Sequence, residues 1–171
     1  AFGKHVYPDK LSCEGITEIT YDDIAYARKK GYAIKLLGIS KKADDGKVYA
    51  LTAPHLVPET NSISGVNDVY NGILVEGNVV EDVLFCGRGA GSLPTASAVV
   101  GDIVNVAKMD STCISQTWTD SADDSFIADY KDDVVSVYVR TKGVAAEKIS
   151  AAFGTVEYLS RDNQPDGELA F

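Results

Sequence analysis

Apolar and polar residues recur along this chain with two periods, one helical and one of two residues, and the switches between them mark out its elements. Thr20 followed by Tyr21-Asp22-Asp23 reads as an N-cap with acids in the first turn, and Arg28, Lys29 and Lys30 before Gly31 read as the end of that helix. Tyr21, Ile24, Ala25 and Arg28 share one face, which the pattern turns toward a core through Ile24. Tyr32 to Ser40 changes to period two with both faces mostly apolar, which predicts a central strand. Asp44-Asp45-Gly46 signals a turn and Lys47 to Thr52 a second strand, so the two make a hairpin. Pro54, Pro58 and the polar run Glu59 to Gly65 predict a long irregular connection. Val69 to Glu76 reads as a third strand, Gly77-Asn78 as a tight turn, and Val79 to Cys86 as a fourth strand.

That fourth strand ends on Gly87-Arg88-Gly89-Ala90-Gly91, and a helical run from Pro94 to Lys108 follows, with Ser92 as its candidate N-cap. A glycine-rich loop that opens onto a helix lets an anion or cofactor approach the backbone closely; dihedral freedom alone also explains three glycines in five residues. Ala96, Val99, Val100, Ile103 and Ala107 share one helix face, and Ala98, Val104 and Val106 widen it, so this helix expects neighbours on two sides. Met109 to Tyr130 is rich in Asp, Ser and Thr without a period, includes the acidic run Asp120 to Asp124, and reads as a flexible connector. Beyond it come a strand from Val134 to Arg140, a helix from Ala145 to Phe153, a strand from Thr155 to Ser160 and a further strand from Glu168. The order is that of an incomplete β-α-β-β module. The class is α+β: a largely antiparallel or mixed sheet with helices on one side, plus this small module.

Composition narrows the functions. Sixteen Lys and Arg against 25 Asp and Glu give a net charge of −9 with no basic cluster, which argues against nucleic acid and anionic membranes as partners. Cys13, Cys86 and Cys113 lie far apart and without C-x-x-C spacing, so neither a disulfide framework nor a zinc site is expected, and a reduced cytoplasmic setting is. No apolar run approaches the roughly 20 residues that span a bilayer.

The candidate chemistry is thin. Gly87, Gly89 and Gly91 form G-x-G-x-G rather than G-x-G-x-x-G, and no second parallel strand with an acid follows the helix, so a complete dinucleotide fold is not assembled. His5 and His55 lack partners at metal-ligand spacing. Asp22 and Asp23 are accounted for by a helix N-terminus and Asp44 and Asp45 by a turn. Lys35, inside an apolar strand, is either a perturbed amine or a lysine snorkelling from a sheet edge.

Three blocks nevertheless resemble bacterial homoserine dehydrogenase: E-G-I-T-E-I-T-Y-D-D-I-A-Y-A-R-K-K-G-Y-A-I-K-L-L-G-I from Glu14 to Ile39, V-N-D-V-Y-N-G-I-L-V-E-G from Val66 to Gly77, and F-C-G-R-G-A-G-S-L-P-T-A-S-A-V-V-G-D-I-V from Phe85 to Val104. The resemblance covers residues 1 to 108. It implies an oxidoreductase of threonine and methionine biosynthesis that interconverts L-homoserine and L-aspartate 4-semialdehyde with NADP or NAD. It also implies that the nucleotide-binding domain and the catalytic lysine and acid lie upstream of Ala1-Phe2-Gly3, so no residue here is assigned to catalysis and these 171 residues are expected to be inactive by themselves.

What carries over to this chain is the loop. Gly91 matches the position near the nicotinamide end of the cofactor, with Gly89 and Gly87 shaping the approach, and Arg88, where the family usually has proline, is expected to loosen it slightly. The resemblance further implies that strands 32 to 86 pair two subunits in a homodimer and that the helix from Pro94 packs on the nucleotide domain. The segments are then a substrate and dimerisation domain over 1–108, a connector over 109–130, and a partial ACT-like module over 131–171. The last resembles the fold that binds threonine in such enzymes, with Thr141-Lys142-Gly143-Val144 in place of the usual effector loop. The alternative is a non-catalytic, amino-acid-sensing dimer.

Overall fold

The computed structural model describes residues 3–109 and 124–171. Ala1, Phe2, Cys113 and most of the expected acidic run and connector lie outside the described residues. Seven strands and three α-helices are formed among the described residues, in the order β1 (Ser12–Cys13), α1 (Tyr21–Lys29), β2 (Tyr32–Lys42), β3 (Val48–Pro58), β4 (Tyr70–Gly77), β5 (Glu81–Arg88), α2 (Ser92–Lys108), β6 (Arg140–Lys142), α3 (Ala146–Phe153) and β7 (Glu168–Ala170). The α+β class holds, but the strands divide into three small sheets: β1-β3-β2, the ribbon β4-β5, and the pair β6-β7.

Local chemistry sets α1 as expected. The Asp23 carboxylate accepts the Thr20 backbone N–H at 2.8 Å, closing the first turn, and Gly31 ends the helix at φ +76°. The buried face differs from the one the pattern suggests. Asp23, Tyr26 and Ala27 are buried, whereas Tyr21 is 76% exposed. The cause is the residues of the tail, which cover the Tyr26 side of the helix, while Ile24 and Arg28 line a cleft on the other side.

The hairpin β2-β3 keeps one register over eleven pairs, from Tyr32 opposite Pro58 to Lys42 opposite Val48. Here β3, not β2, is the central strand, because β1 pairs with it in parallel at Leu51 and Thr52. β3 also runs straight through Pro54, where the sequence suggests a loop. The Thr52 carbonyl accepts from the Glu14 N–H and so faces away from β2. By the two-residue period Pro54 presents its missing N–H on that same side, beyond the end of β1, where no ladder bond is lost. Val48 bonds on this side to Phe126 and Ala128, so the segment after residue 124 lies along the same edge.

The ribbon also departs from the expected turn. Asn78, Val79 and Val80 make a three-residue loop and Glu81 takes φ +55°, a known hairpin solution, which puts Gly77 opposite Glu81. In α2 the first helical residue is Ser92 and the N-cap is Gly91, not Ser92. None of its residues is buried, with Ile103 62% and Val106 68% exposed, so its wide apolar face is uncovered among the described residues. No described helix is long and apolar enough to cross a membrane.

In the tail, pairing is shorter than the alternation suggests. It runs from Val139 opposite Phe171 to Lys142 opposite Glu168, and Val134, Val135 and Val137 stay exposed. Leu159 bridges the other edge of β7 at Ala170, and α3 buries Ile149 while Phe171 meets the ring of Phe153 at 5.1 Å.

Candidate functional site

The ribbon delivers the glycine loop to the start of α2, and the three glycines meet three different demands. Gly91 holds φ +115°, a conformation that L side chains rarely adopt, and its carbonyl accepts the Thr95 N–H at 3.2 Å and the Thr95 hydroxyl at 2.8 Å. It is glycine because of the backbone. Gly89 is glycine because of a neighbour: a Cβ there would fall 1.6 Å from Asn71 Nδ2 and 2.8 Å from Asn71 Cγ. Gly87 is an ordinary strand residue opposite Asn71, and a Cβ there would meet nothing within 4 Å. No described residue requires glycine at 87, and its surface is open among the described residues.

Arg88 lies in the ribbon rather than in the loop proper. It is the last residue of β5, sits opposite Tyr70, and holds its guanidinium 6.0 Å from the centre of the Tyr70 ring. Gly87, Gly89, Gly91 and Asn71 carry no group that moves a proton near neutral pH, so the loop can bind and orient but does not perform acid–base chemistry.

The other candidates are placed as structural groups. Lys35 Nζ donates to the Val66 carbonyl at 2.7 Å and to Asn67 Oδ1 at 2.6 Å, tying β2 to the turn before β4. His55 Nδ1 lies 2.8 Å from the Ala53 carbonyl and His5 stacks on Tyr7. Asp45 accepts the Lys47 N–H, as its turn requires. A cleft of about 610 Å³ opens between α1 and β2, with Ile16, Ile19, Ile24 and Ile34 among its walls.

A charged cluster joins α1 to the tail, and the sequence pattern does not reveal it. Arg140 binds Asp23 through Nε at 2.7 Å and Glu168 through Nη1 at 3.2 Å. Arg161 binds Glu168 at 3.0 Å and Asp22 at 3.1 Å, and Tyr26, fully buried, donates its hydroxyl to Glu168 at 2.9 Å. Tyr138 donates to Asp23 at 3.0 Å. Burial pushes the Asp23 carboxyl up, but hydrogen bonds from Arg140, Thr20 and Tyr138 outweigh it and hold the group well below the usual carboxylate range. Glu168 is lowered in the same way, burial being overcome by Tyr26, Arg161 and Arg140. Burial and the bond to Asp23 raise the Tyr138 phenol. Asp22 and Asp23 thus do more than favour a helix N-terminus, and only the long-range contacts show it.

Comparison with known proteins assigns the segment that carries the ribbon and the loop to a family. The homoserine dehydrogenase family profile matches residues 1–104, which include the ribbon, the glycine loop and most of α2. The chain belongs to the homoserine dehydrogenase family. A homoserine dehydrogenase of Synechocystis is 44% identical over 108 residues, covering 61% of this chain and 25% of that relative. One of Bacillus subtilis is 37% identical over 107 residues, covering 63% of this chain and 24% of the relative. The chain therefore spans about a quarter of the length of these relatives. The crystal structure of Staphylococcus aureus homoserine dehydrogenase at pH 7.0 superposes with a TM-score of 0.69 at 28% identity, covering 99% of this chain and 42% of that one. That of Thiobacillus denitrificans gives 0.68 at 27%, covering 98% and 41%. Within this homoserine dehydrogenase segment the loop at 87–91 falls inside the family match, whereas Arg140, Arg161 and Glu168 lie beyond it, so the charged cluster fastens the family segment to the tail.

Proposed function

We propose that this chain serves in a homoserine dehydrogenase that interconverts L-homoserine and L-aspartate 4-semialdehyde with NADP or NAD, in threonine and methionine biosynthesis. The observation that carries the proposal is the family match through residue 104, with the glycine loop intact inside it. Support for a cofactor at the loop comes from the surface over Gly87, which among the described residues is open where a side chain would otherwise stand. In this reading Gly91, Gly89 and Gly87 form the wall at the nicotinamide end, and the bound cofactor supplies or takes up the hydride. The chain's own part is to bind and orient; proton transfer belongs to residues outside it. Expressed by themselves, the 171 residues are expected to show no turnover.

Residues 1–108 act in this proposal as the substrate and dimerisation domain, 109–130 as a connector and 131–171 as an ACT-like module. Support for the last is the strand order: β7 lies between β6 and the bridge at Leu159, with α3 in the crossover between those two. A homodimer through the sheet, threonine as effector and a cytoplasmic setting complete the reading. The test is oxidation of NADPH by the full-length protein with aspartate semialdehyde, followed at 340 nm. Turnover supports the dehydrogenase. Its absence, together with stoichiometric threonine binding by calorimetry, would favour a non-catalytic amino-acid sensor instead, the reading to which the same strand order gives its support.

A further inference from the structure

The register of the ribbon places Asn71 directly opposite Gly87. Because strand side chains alternate, Gly89 belongs to the same face as Gly87, and Tyr70 and Arg88 belong to the other. Asn71 is thus the one polar side chain beside two missing ones. Its amide lies against Gly89, since the position of a Gly89 Cβ is 1.6 Å from Asn71 Nδ2, and its carboxamide makes no hydrogen bond among the described residues. The next pair on this face is Ile73 opposite Phe85, 65% and 62% exposed. The face therefore presents, in order, an apolar pair, a bare backbone at Gly87, and a carboxamide whose donor and acceptor no described residue engages. A flat ring that itself bears a carboxamide complements all three: the ring covers Gly87 beside Ile73 and Phe85, and amide meets amide.

Resting on the dehydrogenase reading above, we infer that Asn71 is a cofactor-orienting residue, held in place by Gly89, which receives the carboxamide of the nicotinamide ring over Gly87. Gly89 then matters only through Asn71. Asn71 is exposed, so an alanine at 89 displaces its flexible side chain without breaking the fold. Asn71→Ala and Gly89→Ala should share one defect.

The test is a double-mutant cycle in the full-length dehydrogenase, read as the dissociation constant of NADPH from its fluorescence in the absence of substrate. Each single variant is expected to weaken binding about fivefold, the value of one neutral hydrogen bond, and the double variant also about fivefold, with unfolding midpoints unchanged. Asn71→Asp, which keeps the shape but removes the N–H donors, should not restore affinity. In the 171-residue chain, Gly89→Ala should move the Asn71 side-chain NH₂ resonances in an amide NMR spectrum. The inference is overturned if the double variant loses roughly 25-fold, if Gly89→Ala is the more severe single change or unfolds the chain, if Asp restores affinity, or if none of the variants alters NADPH binding. The last result in an enzyme that still turns over leaves the dehydrogenase reading standing. A wild-type protein that neither binds NADPH nor turns over removes both.

Discussion

Arg140 grips Asp23 with two nitrogens, Nε on Oδ1 at 2.7 Å and Nη2 on Oδ2 at 3.2 Å, across a sequence separation of 117 residues. A bidentate pair of this kind, with the Asp23 side chain 7% exposed, differs in kind from the surface pairs Lys29–Asp162 and Lys30–Glu157 that join the same helix to the tail. It ties the family segment to the residues after it, alongside the Tyr26–Glu168 and Arg161–Asp22 contacts.

Removing Asp23 takes the bidentate acceptor from Arg140, which keeps Glu168 at 3.2 Å, and leaves the Tyr138 hydroxyl without its acceptor. Asp23→Ala is expected to lower stability by about 3 kcal/mol, while Asp22→Asn, at a side chain 40% exposed, should cost less than about 1 kcal/mol. Urea unfolding of the two variants decides it. Equal losses would mean that the cluster acts through diffuse charge rather than through the Arg140 pair.

Acid should release the same tie. Asp23 and Glu168 both titrate lower in the folded chain than in the unfolded one, so the unfolded state takes up protons first as pH falls. Their contribution is fully present above the unfolded carboxylate values of about 4 and is lost as pH drops below them toward the folded values. Stability measured by urea unfolding from pH 7 to pH 3 should be flat at first and then fall, and Asp23→Asn should flatten the fall. An unchanged slope in that variant would assign the acid sensitivity elsewhere.

Alanine at the three loop glycines should separate backbone from ligand demands. Gly91→Ala forces a side chain onto φ +115° and should cost the isolated chain about 1–3 kcal/mol. Gly87→Ala meets nothing within 4 Å and should leave the chain's unfolding midpoint unchanged, yet weaken NADPH binding in the full-length enzyme. Full cofactor affinity in the Gly87→Ala protein would remove that residue from the site.

The outer face of α2 offers a similar contrast. Ile103→Asp, at a position 62% exposed, should change the stability of this chain by no more than about 0.5 kcal/mol. In the full-length protein the same change should uncouple the helix from its expected neighbour and lower the unfolding temperature. Equal, negligible effects in both would count against that helix packing on another domain.

Signals confined to a few residues were legible without a structure. Thr20, Asp23 and Gly31 delimit α1, Asp44-Asp45-Gly46 turns the β2-β3 hairpin, and strand, glycine loop and helix follow one another as their chemistry requires. Matters of register were not. A two-residue turn at Gly77-Asn78 would set Asn71 opposite Leu84; the three-residue loop sets it opposite Gly87, an odd shift that exchanges the faces of the ribbon and puts Asn71 beside bare backbone. Pro54 suggested a loop for the same reason: its tolerance depends on which edge of β3 is left unpaired.

Nearest-neighbour preferences along the chain thus settle where helices begin and end, which turns are possible, and that residues 87–91 bring bare backbone to a helix start. Which glycine answers to the backbone and which to Asn71, and why Tyr26 rather than Ile24 is buried, were decided by tertiary structure. Each depends on contacts between residues far apart in sequence, Asn71 with Gly89 and Asp23 with Arg140, and no local pattern encodes the distance between them.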